Sequence, residues 1–206
     1  QGVAYHEIPN INKPLIADAS SVILSEPLDV NKFSLIYAGA QKNIGPAGLT
    51  IVIIDRDFME FGNPNIPNIL KYSEHSLSES MLNTPPTFAW YMAGKVFKWI
   101  KDSGGLDYFK TQNHKKASKL YEFIDNSSFY SNNVDSVNRS IMNVPFLLAN
   151  DDLDKTFLSE AEDNELLNLK GHRSVGGMRA SIYNAMPLEG VEELIKFMEH
   201  FESTYG

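Results

Sequence analysis

Residues 37–54 read Tyr-Ala-Gly-Ala-Gln-Lys-Asn-Ile-Gly-Pro-Ala-Gly-Leu-Thr-Ile-Val-Ile-Ile, and this stretch decides the fold. The part after the last glycine is apolar apart from Thr50 and mostly β-branched, which predicts a strand at residues 49–54. A shorter apolar run at residues 35–37 predicts a second strand before the loop. Strands that are apolar throughout are usually covered on both faces, as in α/β sheets. The stretch therefore predicts an α/β fold in which a glycine-rich loop carries Lys42 between two strands.

The rest of the chain favours the same fold class. An apolar run at residues 15–17 ends at Asp18 and predicts another short strand. Thr84 stands before two prolines as a candidate N-cap, and apolar residues recur at helical spacing through residues 85–101. Residues 63–83 are polar and without periodicity, which predicts an irregular connection. The same patterns predict helices at residues 106–124, 154–167 and 188–201 and strands at residues 142–148 and 178–182.

The composition is that of an ordinary soluble globular protein, with 206 residues, 43% hydrophobic and 21% charged. The net charge of −8 disfavours nucleic acid and anionic lipid as partners, so a bound anion needs a local basic site. The absence of cysteine excludes disulfides, thiolate metal sites and cysteine nucleophiles. The histidines show no metal-ligand spacing, and no metal is expected. No run of about 18 apolar residues is present, and the first residues lack the pattern of a signal peptide.

Two polar side chains are notable because they lie at the ends of predicted strands. The small residues around Lys42 let a bulky ligand approach the backbone, and a lysine held among dry strands can act as a nucleophilic amine. The alternative is an exposed loop lysine. Asp18 is explained either by a turn at the end of a strand or by pairing with a cation such as a protonated pyridine nitrogen. The spacing of a phosphate-binding P-loop is absent.

Four blocks of the sequence, at residues 37–50, 80–91, 138–146 and 170–185, resemble one enzyme family. In order and in register they are similar to the phosphoserine aminotransferases, which are class-V, fold-type I aminotransferases that use pyridoxal 5′-phosphate (PLP). A single Gly-Lys loop would be weak evidence, whereas four long blocks cover nearly the whole chain. The resemblance implies an α/β fold made of a partial aminotransferase large domain followed by a complete small α+β domain.

The resemblance also implies cofactor-binding roles. Lys42 matches the lysine that forms the Schiff base with PLP, and Asp18 matches the carboxylate that pairs with the pyridine nitrogen. Gln41 matches a contact to the cofactor phosphate. Asn83 and Thr84 match a pair that reaches the cofactor phosphate of the neighbouring subunit in a homodimer. Considered without the resemblance, Asn83 and Thr84 are explained by the start of a helix.

Three further residues match substrate-binding positions of the family. His172 and Arg173 match the site for the substrate phosphate, and Arg179 matches the clamp for the substrate α-carboxylate. An arginine can grip a carboxylate through two parallel hydrogen bonds, which would orient the bonds at the substrate Cα. The alternatives are a solvated loop for the His-Arg pair and a structural ion pair for Arg179.

The resemblance begins part-way through the family's large domain, so we expect residues 1–100 to be the C-terminal part of that domain. Residues 101–206 are then the small domain. In the family, the part before this point supplies a glycine-bearing loop at the cofactor phosphate and a ring that stacks on the pyridine. We therefore expect the strands near residues 15 and 49 to lack sheet neighbours, and the chain alone to have little or no transaminase activity.

The function implied by the resemblance is transamination between O-phospho-L-serine and 2-oxoglutarate, giving 3-phosphooxypyruvate and glutamate in serine biosynthesis. Action on 4-phosphohydroxythreonine in pyridoxine biosynthesis and a cytoplasmic location are also implied. Another fold-type I enzyme is the first alternative. The lack of cysteine excludes a cysteine desulfurase, and the His-Arg pair favours a phosphorylated substrate over glyoxylate. The second alternative is a catalytically silent fragment.

Overall fold

Two units make up the chain in the computed structural model, which describes residues 2–173 and 175–206. The N-terminal unit is Ile8–Leu106. The C-terminal unit is Asp107–Gly206 together with the segment up to Glu7. The division expected after residue 100 falls inside a helix that continues to Asp102, and the observed division follows that helix.

A mixed three-stranded sheet organises the N-terminal unit. Strands β1 (Ile16–Asp18), β2 (Leu35–Gly39) and β3 (Thr50–Ile54) lie in the order β1-β2-β3. β1 runs parallel to β2, with Asp18 opposite Tyr37, and β3 runs antiparallel to β2. All three predicted strands are therefore present. The α/β class predicted from them is confirmed, as the comparisons below show.

Both outer strands of this sheet are open to solvent within the described residues. β1 and β3 pair only with β2 there, and Ile16 and Ile53 are 55% and 39% exposed. The expectation that β3 is covered on both faces is wrong for this chain, because the described residues cover these strands only in part. β1 and β3 each pair with β2 on one side. The expected lack of a sheet neighbour therefore applies only to the outer side of each of these two strands.

Three helices complete the N-terminal unit: α1 (Arg56–Met59), α2 (Tyr72–Leu77) and α3 (Thr87–Asp102). α2 lies in the segment predicted to be irregular, and it is too short to show a periodic pattern. The predicted N-cap at Thr84 is wrong, since α3 begins at Thr87 after Pro86. A residue that precedes proline is disfavoured in helical conformation, which keeps Thr84 and Pro85 outside the helix.

The core of the N-terminal unit lies around the ends of β1 and β2. It consists of small and branched side chains from the strands, from the loops that follow them and from α3: Ala19, Ile23, Ile36, Ala38, Ala40, Ile44 and Ala93. Ala40 and Ile44 belong to the lysine-bearing loop and are almost fully buried. The buried side chains of Ala40 and Ile44 thus anchor the loop to the core of the N-terminal unit.

The C-terminal unit combines three helices with an antiparallel sheet. Its helices are α4 (Gly105–Asn126), α5 (Asp154–Asp163) and α6 (Leu188–Tyr205), and its strands are β4 (Tyr130–Ser131), β5 (Asn143–Leu148) and β6 (Met178–Ser181). The sheet order is β4-β5-β6.

Helix α5 is shorter than the predicted range of residues 154–167. The Asn164 backbone N–H and side-chain amide both donate to the Glu160 carbonyl, at 3.1 and 2.8 Å. Glu165 then has a φ of 62°, in the left-handed region. The Glu165 N–H then donates to the Glu162 carbonyl at 3.0 Å and the Leu166 N–H to the Ala161 carbonyl at 2.8 Å, and these bonds end the helix because they satisfy its last carbonyl groups outside the helical path.

Aromatic rings fill the core of the C-terminal unit. The Phe157 ring, fully buried, lies 5.0 Å from the Phe201 ring and 5.1 Å from the Phe197 ring between centroids, in near-perpendicular pairs. Such pairs contribute about 0.5–1.5 kcal/mol beyond the burial of their area. In the described part of the chain, no helix is both long enough and apolar enough to cross a membrane.

Candidate active site

Asp18 and the lysine-bearing loop lie at the same edge of the N-terminal sheet. β1 and β2 are parallel, so the loops that follow them leave the sheet at one edge, where ligands of α/β sheets usually bind. The Ala19 N–H donates to the Tyr37 carbonyl at 2.8 Å, which continues the pairing beyond the last residue of β1. The chain topology therefore places the Asp18 carboxylate beside the start of the loop that carries Lys42.

The lysine-bearing loop is a tight turn with two residues facing outward and two facing inward. The Ile44 and Gly45 N–H groups donate to the Ala40 carbonyl at 3.1 and 2.7 Å. Asn43 and Ile44 are buried, and the Asn43 side chain donates to the Ile23 carbonyl at 3.0 Å. Lys42 is exposed, so the interpretation of a lysine held among dry strands is wrong for this chain. The exposed amine is accessible to a ligand at this edge.

One glycine of this loop, Gly48, has a structural role. Gly48 has a φ of +101°, which L-residues rarely adopt. A Cβ placed on Gly45 would lie 3.5 Å from the Ala93 backbone nitrogen in α3. Gly48 therefore allows the turn, whereas a Cβ on Gly45 would make only an ordinary van der Waals contact with α3.

Asp18 is held in its ionised form by its neighbours. The Ser20 side chain and backbone hydrogen-bond to the carboxylate, and the positive charge of Lys42 acts in the same direction. The Ser20 N–H donates to Asp18 Oδ1 at 2.9 Å. These interactions lower the pKa of the Asp18 carboxyl below its ordinary value, against a smaller opposing effect of burial. Asp18 is thus available as an anion near the lysine amine.

Gln41 is exposed next to Lys42, at the same edge of the sheet. Asn83 and Thr84 are exposed in the segment between α2 and α3, and Asn83 Nδ2 donates to the Thr84 carbonyl at 3.2 Å. No hydrogen bond between described residues joins this pair to Asp18 or Lys42. The structure therefore places Asp18, Gln41 and Lys42 at one edge of the sheet, and no described hydrogen bond links Asn83 or Thr84 to that edge.

His172 and Arg173 lie on a short loop that closes between two backbone contacts. The Gly171 N–H donates to the Gly177 carbonyl at 2.8 Å, and the Gly176 N–H donates to the His172 carbonyl at 2.9 Å. Both side chains are exposed. Ser174, inside the matched block, lies outside the described residues. This loop carries an imidazole and a guanidinium at adjacent exposed positions of the sequence.

Arg179 follows the same loop, on β6, opposite Pro145 of β5. Its Nε atom is buried and has no hydrogen-bond partner among the described residues. No ion pair links it to a carboxylate in residues 2–173 and 175–206, so the alternative of a structural ion pair is not seen there. A buried donor without a partner is costly, and an anionic ligand would satisfy it.

Gly171 has no room for a side chain. A Cβ there would lie 2.1 Å from the Gly176 carbonyl oxygen and 2.7 Å from that of Gly177, both backbone atoms. We expect Gly171→Ala to force the His172 loop apart and to lower the free energy of unfolding by about 1–3 kcal/mol. Urea unfolding of the chain measures this loss.

The matched control for Gly171→Ala is Gly94→Ala. Gly94 lies inside α3, where a Cβ would meet nothing within 4 Å. There the substitution is expected to stabilise the protein by roughly 0.5–1 kcal/mol, because alanine favours a helix. Equal effects of the two substitutions would contradict the steric account of Gly171.

Ser20 is a site residue that the sequence patterns did not single out. Its backbone contacts Asp18, and its hydroxyl accepts a hydrogen bond from the Gly39 N–H at 3.0 Å. A local signal was present, because Asp-x-Ser is typical of a turn in which the aspartate accepts from the residue two positions on. The contact to Gly39 has no such local signal.

Comparisons with known proteins agree with this geometry. The model of the aminotransferase class-V family matches residues 6–194. Phosphoserine aminotransferase from Acinetobacter baylyi is 58% identical over 205 residues, covering 100% of this chain and 57% of that protein. The solved structure from Bacillus circulans subsp. alkalophilus is 47% identical with a TM-score of 0.96, covering 100% of this chain and 57% of that one.

A solved structure of PLP-bound phosphoserine aminotransferase from Trichomonas vaginalis is 42% identical, with a TM-score of 0.92 over 97% of this chain and 57% of that one. The chain thus spans 57% of the length of each of these relatives. The predicted resemblance, the α/β fold of a partial fold-type I enzyme and the cofactor PLP are confirmed at the level of these relatives. Since the family model extends over most of the residues that form both units, this chain belongs to the class-V aminotransferases.

Proposed function

We propose that this chain carries the PLP-binding lysine of a transaminase acting between O-phospho-L-serine and 2-oxoglutarate, with 3-phosphooxypyruvate and glutamate as products. The observation that carries the proposal is the placement of an ionised Asp18 and an exposed Lys42 at one edge of two parallel strands. The names of the relatives support the choice of phosphoserine as substrate. Serine biosynthesis is the corresponding metabolic role.

The residues present at this edge fit the chemistry of PLP, which withdraws electrons from the substrate Cα through a protonated pyridine ring. Asp18 supplies the anion that keeps the ring nitrogen protonated, because its pKa is lowered by Ser20. Lys42 would hold the cofactor through its primary amine. With its amine free, Lys42 would be the group that moves the proton at the substrate Cα. Gln41 is proposed to contact the cofactor phosphate.

The cationic residues of the C-terminal unit are proposed to bind the substrate anions. His172 and Arg173 would bind the phosphate of phosphoserine, and the side-chain carboxylate of glutamate in the other half-reaction. Arg179 would bind the α-carboxylate, and its buried Nε without a described partner is the observation that supports this role. 4-Phosphohydroxythreonine carries the same phosphate, and its use in pyridoxine biosynthesis is part of the proposal.

The proposal includes a cytoplasmic homodimer in which Asn83 and Thr84 contact the cofactor phosphate of the neighbouring subunit. The exposure of both residues supports this arrangement. Neither nucleic acid nor a membrane is proposed as a partner, in keeping with the net charge of −8. No group of three or more His, Asp or Glu side chains that could hold a metal occurs among residues 2–173 and 175–206.

A transamination assay tests the proposal. The chain is assayed alone and as a fusion to the part of the Acinetobacter baylyi enzyme that it does not cover. We expect the fusion with PLP to transfer the amino group of phosphoserine to 2-oxoglutarate. We expect the chain alone to show no turnover, since it spans 57% of its relatives.

The same assay separates the alternatives. A fusion that prefers alanine and glyoxylate would contradict the phosphoserine assignment. Turnover by the chain alone at the rate of the fusion would contradict its expected inactivity. A fusion that folds and binds PLP but transfers no amino group would support the alternative of a catalytically silent segment.

A further inference from the structure

Ser20 connects the two loops that carry Asp18 and Lys42. Its backbone N–H donates to Asp18 Oδ1 at 2.9 Å, and its Oγ accepts from the Gly39 N–H at 3.0 Å. Gly39 is the last residue of β2, immediately before the turn that carries Lys42. The Ser20 side chain, in the loop after β1, is thus hydrogen-bonded to the backbone at the start of the loop that carries Lys42.

The hydroxyl group of Ser20 has a free hydrogen for a second partner. A serine hydroxyl has one donor hydrogen and two acceptor lone pairs, so accepting from Gly39 leaves its own hydrogen to donate. The side-chain hydrogen bond from Ser20 is the largest of the influences that lower the pKa of Asp18. The other groups that act on this carboxylate in the same direction are Lys42, by its charge, and Tyr37, by a hydrogen bond.

The packing below the loops keeps these bonds in place. Ala19, next to Ser20, and Ala40, next to Gly39, are both buried in the core of the N-terminal unit. The Ala19 N–H is bonded to the Tyr37 carbonyl. Ser20 is therefore presented to Asp18 and Gly39 by rigid backbone.

We propose that Ser20 is a positioning residue that orients the Asp18 carboxylate and fixes its separation from the Lys42 loop. This inference rests on the proposed function, in which Asp18 pairs with the ring nitrogen of PLP and Lys42 binds its aldehyde. The two groups must act on opposite parts of one rigid ring. Ser20 is bonded to both loops, through its backbone N–H to Asp18 and through its Oγ to the Gly39 N–H, and these bonds keep the spacing of the loops constant while the ligand is exchanged.

The test compares Ser20→Ala, Ser20→Thr and Ser21→Ala in the full chain without cofactor. Two NMR readouts are used: the pKa of the Asp18 carboxyl, from its pH titration, and the hydrogen-exchange rate of the Gly39 amide. In Ser20→Ala we expect the Asp18 pKa to rise towards its ordinary value. We expect exchange at Gly39 to accelerate about fivefold or more, since one hydrogen bond of about 1 kcal/mol is lost.

Two comparisons decide the outcome. Ser20→Thr keeps a hydroxyl and is expected to restore both readouts, and Ser21→Ala should leave both unchanged. An unchanged Asp18 pKa in Ser20→Ala, or a change of the same size in Ser21→Ala, would overturn the proposal. Neither readout involves PLP. Failure of PLP to attach to Lys42 would therefore overturn the proposed function without changing the outcome of these two measurements on Ser20.

Discussion

Replacement of Lys42 by alanine is expected to eliminate covalent attachment of PLP to this chain. In the fusion described above, it should lower transamination by a factor of about 100 or more, the usual loss when a general base is removed. Lys42 is exposed at the edge where Asp18 is ionised, so its amine is accessible to the aldehyde. Alanine can neither bind the aldehyde nor move a proton from the substrate Cα.

Attachment is measured by incubating the chain with PLP, reducing with borohydride and locating the modified lysine by peptide mass spectrometry. Lys32→Ala is the matched control, because Lys32 is an exposed lysine in a short 3₁₀ turn of the same unit. The control should carry as much PLP on Lys42 as the unsubstituted chain. Modification spread over many lysines, and undiminished in Lys42→Ala, would show surface reaction alone and would contradict the assignment.

Local patterns are sufficient to predict the three strands, with Asp18 at the end of the first and Lys42 in the loop between the other two. The apolar runs before Asp18 and on both sides of the loop are short and bounded by polar or small residues, and each forms a strand. The parallel pairing of β1 with β2, which brings both side chains to one edge, is not contained in these local patterns, since the neighbouring pair β2–β3 is antiparallel. The exposure of Lys42 was not predictable in this way, because burial depends on segments that are distant in the sequence.

The matched block at residues 138–146 illustrates a different limit. Its apolar end predicts a strand, but no local pattern indicates a role for Arg139, which has a structural role in the C-terminal unit. Its guanidinium donates two hydrogen bonds to Asp125, at 2.6 and 2.8 Å, and lies over the Tyr121 ring. This bidentate ion pair forms only because two segments distant in the sequence come together in the fold. A residue pattern within one segment cannot predict such a pairing.

Lys116 is a residue whose role could have been found from periodicity. The predicted apolar face of α4 includes Phe109 and Leu120, and helical spacing places Asn113 and Lys116 on the same face. Both are buried, Lys116 with 2% of its surface exposed. A lysine on an apolar helical face needs hydrogen-bond acceptors there, but the sequence does not say which ones.

Three backbone carbonyl groups accept hydrogen bonds from the Lys116 ammonium. Its Nζ donates to the carbonyls of Ile182, Tyr183 and Met186 at 3.1, 2.8 and 2.9 Å. An ammonium has three donor hydrogens, so each has an acceptor. These acceptors lie in the segment between β6 and α6, and the contact fastens that segment to α4.

Lys116→Met is expected to destabilise the protein by about 2–4 kcal/mol at pH 7. Methionine fills a similar volume but donates nothing, so three buried carbonyls lose their donor. Removing a buried charge offsets part of this cost. Urea unfolding measures the difference, and Lys115→Met, at the neighbouring exposed position, should change stability by less than about 0.5 kcal/mol.

The pH dependence of this difference tests the environment of Lys116 directly. Burial lowers the pKa of the folded-state ammonium from 10.5 to about 8. Between these two values the unfolded chain binds a proton that the folded protein has lost, so the stability contributed by Lys116 rises as the pH increases from 8 towards 10.5. The gap in unfolding free energy between the unsubstituted chain and Lys116→Met should therefore widen over this range. Other groups that titrate there are common to both proteins and cancel. A gap that narrows would show that the three carbonyls outweigh burial and raise the pKa of Lys116 above its unfolded value.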